Sequence, residues 1–363
     1  MTAKKLTLKN YRNIEMLEIF PDDKINIFYG NNAQGKTNII EALWMFTGAK
    51  SFKAGSDSEV IAIGTKECSA VLDFFAQGRA QTSKIIFKEK NEVFLNECPE
   101  KSRNALSGKF CAMIFAPEHK GLVKDGPSVR RKFINTAMCQ IRPKYARLLA
   151  EYEKSVTQRN ALLKDIPYHS ELMDTLDFWD IKLSETGGKI AFLRQSYVDK
   201  IREYSSEIYQ NISEQTENLD IEYKTAGKGE TAKDFEQNIL NALKEGRKDD
   251  IITGITKAGV HRDDLEITVN GLSTRVYASQ GQMRSGALAL KLSEAAVLEQ
   301  YIGESPICLL DDVMSELDTG RQNYILNHIK NFQVFITCCD PSQVLGRTDG
   351  KLFETEKGKV EVV

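Results

Sequence analysis

The sequence predicts an α/β protein whose core is split in sequence, with a helical subdomain inserted between its halves. Three observations predict it. A short apolar strand over residues 24–29 runs into a glycine-rich turn and then an apolar helix from Thr37 to about Thr47. A second apolar strand, over 307–310, ends in two aspartates about 270 residues after that turn. Between them, residues 120–250 are rich in Leu, Glu, Lys, Gln and Tyr and poor in Pro, as amphipathic helices are. Segments 69–75, 83–88 and 92–96 alternate like antiparallel strands, and 265–270 and 334–337 read as further strands. The expected division is an N-terminal lobe over 1–110, a mainly helical subdomain over 111–250 and a C-terminal lobe over 251–363.

The glycine turn is Gly30-Asn31-Asn32-Ala33-Gln34-Gly35-Lys36-Thr37, which fits G-x-x-x-x-G-K-[ST] at every constrained position. The glycines let the backbone curl until successive N–H groups face phosphate oxygens, and the following helix N-terminus adds partial positive charge. Lys36 would reach the β- and γ-phosphates of ATP, and the Thr37 hydroxyl would bind Mg²⁺. A chance glycine turn is the plainer reading, but it must coincide with a strand before it and a helix after it.

The second strand carries Asp311 and Asp312 at its C-terminal end, where open α/β sheets gather their ligand chemistry. Asp311 would hold Mg²⁺ through water, and Asp312 would orient or deprotonate an attacking water. An acidic turn closing a core strand is the alternative. Ser279-Gln280-Gly281-Gln282 opens a long Ala/Leu/Glu helix just ahead of that strand. A serine there is most often only a cap. Gly281 and the polar first turn also suit an anion, which makes Ser279, Gly281 and Gln282 candidate nucleotide contacts.

Composition sets the bounds. With 363 residues, 41% hydrophobic and 28% charged, the chain has room for about two folded domains. No apolar core follows the N-terminal lysines and no run is long enough to span a bilayer, so a cytoplasmic protein without membrane contact is expected. Seven cysteines without a C-x-x-C pair and four scattered histidines argue against a zinc site or a disulfide framework. Net charge is −2, so a polyanion has to meet a local patch. From Lys120 to Lys164, eleven lysines and arginines stand against three acids (Asp125, Glu151, Glu153). Arg130, Arg131, Lys132, Arg142, Lys144 and Arg147 are its densest part, and Tyr145 and Tyr152 could stack on bases. Such a surface would track phosphates without reading sequence. A solvated helical face is the rival reading.

The order of these motifs, together with others, resembles the RecF family, relatives of the SMC ATPases. Tyr11-Arg12-Asn13, the loop from Gly30 to Ala42 and Ser51-Phe52-Lys53 resemble its N-terminal lobe. Phe115-Ala116-Pro117-Glu118, Arg130-Arg131-Lys132-Phe133 and Gln158-Arg159-Asn160 resemble its middle motifs. His261-Arg262-Asp263-Asp264, Ser279-Gln280-Gly281-Gln282 and Asp311-Asp312-Val313 with Ser315-Glu316-Leu317-Asp318 resemble its C-terminal lobe. Val260 and Asn135 depart from the family pattern, and Thr337-Cys338-Cys339 stands where transporter-type ATPases carry a switch histidine.

The resemblance implies an ABC-type P-loop ATPase head that binds ATP and Mg²⁺. Two heads would sandwich two nucleotides, each P-loop facing the partner's Ser279. Closure would form a clamp on single-stranded, gapped or duplex DNA, with weak DNA-stimulated hydrolysis as the switch. It further implies RecR-like and RecO-like partners, recombinase loading, replication recovery and support of the SOS response. Arg12 would lie near the nucleotide and Lys53 near DNA. Three rivals stand beside this reading: a transporter's ATPase subunit, a small-molecule kinase, and a DNA-binding head without turnover. The first expects a switch histidine, and the second gives the Ser279 loop no purpose.

Overall fold

The computed structural model describes residues 1–363 apart from 228 and 346–349. Two compact units emerge: Met1–Lys120 with Glu207–Glu217 and Gln280–Val363, and Gly121–Ser206 with Asn218–Ser279. The α/β core is split in sequence, but the divisions differ from those expected. The first unit runs on to Lys120 instead of ending at 110. Residues 251–279 belong to the second unit, because their strands pair with one drawn from the helical stretch.

Fifteen strands are described, in chain order. They are β1 Thr2–Tyr11, β2 Ile14–Ile19, β3 Ile25–Tyr29, β4 Cys68–Ala76, β5 Arg79–Phe87, β6 Glu92–Leu95, β7 Cys98–Glu100 and β8 Ala112–Phe115. The second unit supplies β9 Leu219–Lys224, β10 Asp264–Val269 and β11 Leu272–Ser273. The chain then closes with β12 Ile307–Asp311, β13 Val334–Cys338, β14 Lys351–Glu356 and β15 Lys359–Val362.

The first unit holds two six-stranded sheets. One is antiparallel throughout, in the order β2-β1-β4-β5-β6-β7. The other runs β15-β14-β3-β13-β12-β8, with β14, β3, β13, β12 and β8 parallel. Every residue of β8, β12 and β13 is buried, which explains why those strands read as continuous apolar runs instead of alternating. Helix α1, Lys36–Met45, buries nine of its ten residues. The helix is buried on nearly every side, and Ile39 and Leu43 join one cluster with Leu8 and Leu72 of the first sheet and Leu309 and Phe335 of the second. Each such side chain contributes about 1.5–3 kcal/mol by leaving water. Phe28 on β3 stacks on Phe353 at 4.7 Å and on Phe335 at 6.4 Å, tying three neighbouring strands.

The parallel strands place the site. The turn after β3, the acids ending β12 and the residues ending β13 all lie at one edge of the sheet, because the strands share a direction. The order puts β13 between β3 and β12.

The second unit contains the helices Pro127–Ile141, Pro143–Asp165, Leu176–Ile212 (counted with this unit up to Ser206), Ala232–Glu245 and Arg247–Thr253. It also has an antiparallel sheet, β11-β10-β9. Strand β9 lies inside the stretch read as helical; Leu219, Ile221 and Tyr223 point inward at period two. Buried charge holds this unit together. Arg159 donates to Asp180 and Asp250, each at 2.7 Å, and to the Thr256 hydroxyl at 2.9 Å. Arg194 donates to the Val260 carbonyl at 2.6 Å, the Tyr145 hydroxyl at 3.0 Å and Asp263 at 3.2 Å. Charges this deep persist only when paired in this way. Among the described residues, no helix is long and apolar enough to cross a membrane.

Candidate functional site

Gly30 and Gly35 have φ values of 143° and 113°, in the region that favours glycine, and Ala33 adopts φ 63° between them. Space also demands glycine: a Cβ on Gly30 would stand 2.3 Å from the Thr355 carbonyl oxygen. The loop therefore curls tightly and delivers the chain into α1, whose first N–H groups have no intrahelical acceptor. Lys36 Nζ lies within the arc, donating to the carbonyls of Gly30 at 2.5 Å and Asn31 at 2.8 Å. Gln34 is held from two sides. Its carbonyl accepts from Asn13 Nδ2 at 3.1 Å and from the Gly358 N–H at 2.9 Å, and its side-chain oxygen accepts from the Lys357 N–H at 2.6 Å.

The two halves of the chain meet at Asp311. Its Oδ1 accepts from the Thr37 hydroxyl at 2.9 Å and from the Thr337 hydroxyl at 2.7 Å. Burial raises the Asp311 carboxyl above the usual carboxylate range, while the two threonine hydrogen bonds oppose the rise. Asp312 has φ 51°, and its N–H donates to Thr337 Oγ1 at 2.9 Å and to the Thr337 carbonyl at 3.2 Å. Thr337 thus fixes both acids, a part that sequence reasoning left unassigned. The Thr37 hydroxyl and Asp311 carboxylate are hard oxygen donors of the kind Mg²⁺ takes. Among the described residues, no cluster of three or more His, Cys, Asp or Glu could hold a metal. The donor set therefore suits a Mg²⁺ held mainly by nucleotide and water, with two protein oxygens.

A cavity of about 840 Å³ opens over the loop. Residues 32–38, Asp312 and Thr337 line it, as do Arg12, Lys53 and the apolar edge Ile61–Ala62–Ile63. Arg12 and Lys53 are thus brought to the same cavity. Ser279 is exposed and directly precedes the helix Gln280–Ile302. Neither Gly281 nor Gln282 lines the cavity; Gln282 Nε2 donates to Glu217 at 2.7 Å. Arg321 ties this helix to the segment after β12, donating to Ser285 Oγ at 2.8 and 3.0 Å and pairing with Asp318.

The basic segment divides. Arg130 is 1% exposed and its guanidinium is spent inside the second unit. It donates to both oxygens of Asp264 at 2.7 and 3.0 Å and to the carbonyls of Leu122 and Asp125. It cannot meet a DNA phosphate without breaking that fork. Arg131 is half-buried and donates to the Asp263 carbonyl at 2.7 Å. Arg147 is exposed and paired with Glu151 at 3.0 Å, one helical turn away. Lys132, Arg142 and Lys144 are exposed. Tyr145 and Tyr152, each 1% exposed, are core residues and have no ring face for a base. Amphipathic periodicity does not reveal which face of a basic helix is buried, and an arginine in an apolar row looks like any surface cation.

The His261-Arg262-Asp263-Asp264 motif is structural in the same way. His261 Nδ1 lies 2.8 Å from the Tyr152 hydroxyl, and burial lowers its pKa to about 4. Asp263 accepts from Arg194 and Tyr223, and Asp264 from Arg130.

Comparison with known proteins agrees with this geometry. The RecF/RecN/SMC N-terminal domain family matches residues 2–355. The DNA replication and repair protein RecF of Agathobacter rectalis is 39% identical over 369 aligned residues, covering 100% of this chain and 99% of the relative. That of Clostridioides difficile is 34% identical, covering 99% and 98%. A solved structure of the recombination mediator protein RecF with ATPrS, described as part of the RecFOR pathway, superposes with a TM-score of 0.93 at 33% identity, covering 99% of this chain and 98% of the other. An Smc head domain from Pyrococcus furiosus shares the fold, with a TM-score of 0.57 at 15% identity, covering 100% and 96%. The chain therefore belongs to the RecF family within the RecF/RecN/SMC N-terminal domain proteins.

Proposed function

We propose that this chain binds ATP with Mg²⁺ in the cavity over the Gly30–Thr37 loop and uses it to control DNA binding in replication and repair. One observation carries the reading: Thr37 and Asp311, 274 positions apart, meet at 2.9 Å beside a cavity lined by the loop. The relatives' names and the ATP-bound RecF structures support it. In this reading Lys36 and the loop N–H groups hold the phosphates. Thr37 and Asp311 hold Mg²⁺, which when bound neutralises phosphate charge. Asp312, fixed by Thr337, orients the attacking water, and the weak hydrolysis that follows, stimulated by DNA, acts as a switch.

The finer reading is an ATP-driven dimeric clamp at single-stranded gaps. It would act in the cytoplasm with RecR-like and RecO-like partners, in recombinase loading, replication recovery and the SOS response. Gly281 and Gln282 do not line their own chain's cavity, and in this reading they and Ser279 meet the γ-phosphate of a second copy's nucleotide. A contact that ADP lacks makes dimerisation nucleotide-dependent.

Replacing Lys36 with Met removes the cation and leaves the backbone cradle. ATP affinity is expected to fall by about 2 kcal/mol, roughly 30-fold, and hydrolysis to disappear. Asp312→Asn is expected to keep ATP binding and lose hydrolysis. Titration with a fluorescent ATP analogue and a steady-state phosphate assay check both; wild-type turnover in the Lys36 variant rules the site out.

Reversing Lys132, Arg142 and Lys144 together to Glu is expected to weaken DNA binding and flatten its salt dependence. Each lost phosphate contact takes about 0.9 from the logarithmic slope on duplex DNA. ATP affinity serves as the control. Unchanged DNA affinity moves the surface elsewhere, with Lys53 as the next candidate.

Ser279→Arg puts a bulky cation where the second copy would dock. The wild type is expected to dimerise with ATP and Mg²⁺ but not with ADP, and the variant to stay monomeric while still binding ATP. Light scattering at micromolar concentration checks this. A wild type that remains monomeric with ATP contradicts the shared site.

A further inference from the structure

The most buried acid near the cavity has no part in the roles assigned above. Glu41 lies one helical turn beyond Thr37 on α1 and is 0% exposed. A carboxylate at that depth needs donors on every side, and Glu41 has them. Arg12 forks onto it, with Nε at 2.7 Å and Nη2 at 2.6 Å, the bidentate geometry that fixes a guanidinium plane. The Tyr11 hydroxyl donates at 3.3 Å, and the Ser51 hydroxyl donates as well.

Each partner is itself constrained. Arg12 has φ 54°, and its N–H donates to the Val60 carbonyl at 2.8 Å, so backbone and side chain are both fixed. With Nε and Nη2 on Glu41, its Nη1 has no hydrogen-bond partner among the described residues. Ser51 Oγ accepts in turn from the N–H groups of Lys53 at 2.9 Å and Ala54 at 2.7 Å, which locks the turn carrying Lys53. Arg12 and Lys53 both line the cavity over the loop. One carboxylate, rigidly attached to the helix that starts at Lys36, therefore sets two cations that come from separate segments.

We propose that Glu41 is a positioning residue for the triphosphate: it holds Arg12 and the 51–54 turn against the glycine loop, so that two cations face the nucleotide in a preset arrangement. The inference rests on the cavity being the ATP site. Preset donors cost no ordering when the ligand arrives, so their loss appears in affinity even where the fold survives.

The test is a double-mutant cycle on the full chain, titrated with a fluorescent ATP analogue and Mg²⁺, using Glu41→Gln, Arg12→Gln and the double variant. Glu41→Gln keeps the side-chain volume and an acceptor but loses the charge that fixes the fork. It is expected to weaken ATP binding about tenfold, the worth of one charge-assisted hydrogen bond. Arg12→Gln is expected to do the same. The double variant should bind only slightly more weakly than Arg12→Gln alone, well short of the sum of the two effects, because Glu41 acts mainly through Arg12 and only in part through the 51–54 turn. A purely structural role would instead lower the urea midpoint and leave the two effects additive. Wild-type affinity in Glu41→Gln, or full additivity, overturns the inference while leaving the ATP site standing. A wild type that does not bind ATP overturns both. If Glu41→Gln fails to fold, Ser51→Ala cuts only the tie to the turn. It is expected to weaken ATP binding and speed tryptic cleavage after Lys53; wild-type behaviour in both assays overturns the inference.

Discussion

The site depends on one buried carboxylate oxygen. Asp311 Oδ1 receives the Thr37 and Thr337 hydroxyls, and the three residues end or follow three adjacent parallel strands, β12, β3 and β13. The Thr37–Asp311 contact joins residues 274 positions apart in the chain. Asp311 is 5% exposed, so burial disfavours its ionised form, while the two threonine hydrogen bonds oppose that effect. A divalent cation would complement such a group, and the Thr37 hydroxyl beside it is an oxygen donor of the same hard kind. The apolar run of β12 ahead of Asp311 fits this. A carboxylate can be presented so firmly only at the end of a strand that is packed on both faces.

Much of that arrangement was legible in the sequence because it rests on local rules. The glycine spacing, the apolar strand before it and the helix after it fix the loop, and a four-residue apolar run fixes β12. The insertion of β13 between β3 and β12 was not legible, since strand order is a long-range property that no local pattern encodes. For the same reason Thr337, read as the end of a strand and the start of a run lacking the switch histidine, was given no role, when it is the residue that holds both acids. Glu41 escaped notice because a glutamate on a helix is ordinarily solvated. Only the surrounding sheets make it a buried acid with four donor groups, two of them from one arginine.

The basic segment failed in the opposite direction. Its charge excess is real, but Arg130 and Arg159 spend their charge on internal carboxylates, and Tyr145 and Tyr152 fill the core. Counting cations cannot separate a phosphate-tracking face from a network of buried ion pairs, because both need arginine. Arg159 and the run from His261 to Asp264, among the residues that carried the resemblance to the RecF family, serve that network. The DNA surface proposed above is narrowed to the exposed Lys132, Arg142 and Lys144, with Lys53 at the cavity as the next candidate.

In the proposed function, Thr37 and Asp311 hold the metal of a bound ATP–Mg²⁺ complex. Anomalous diffraction from crystals grown with Mn²⁺ and a slowly hydrolysed ATP analogue tests it most directly. The account predicts one manganese peak beside the Thr37 hydroxyl and the Asp311 carboxylate, with the analogue's phosphates inside the Gly30–Thr37 loop. A bound analogue whose manganese lies away from both residues would contradict it.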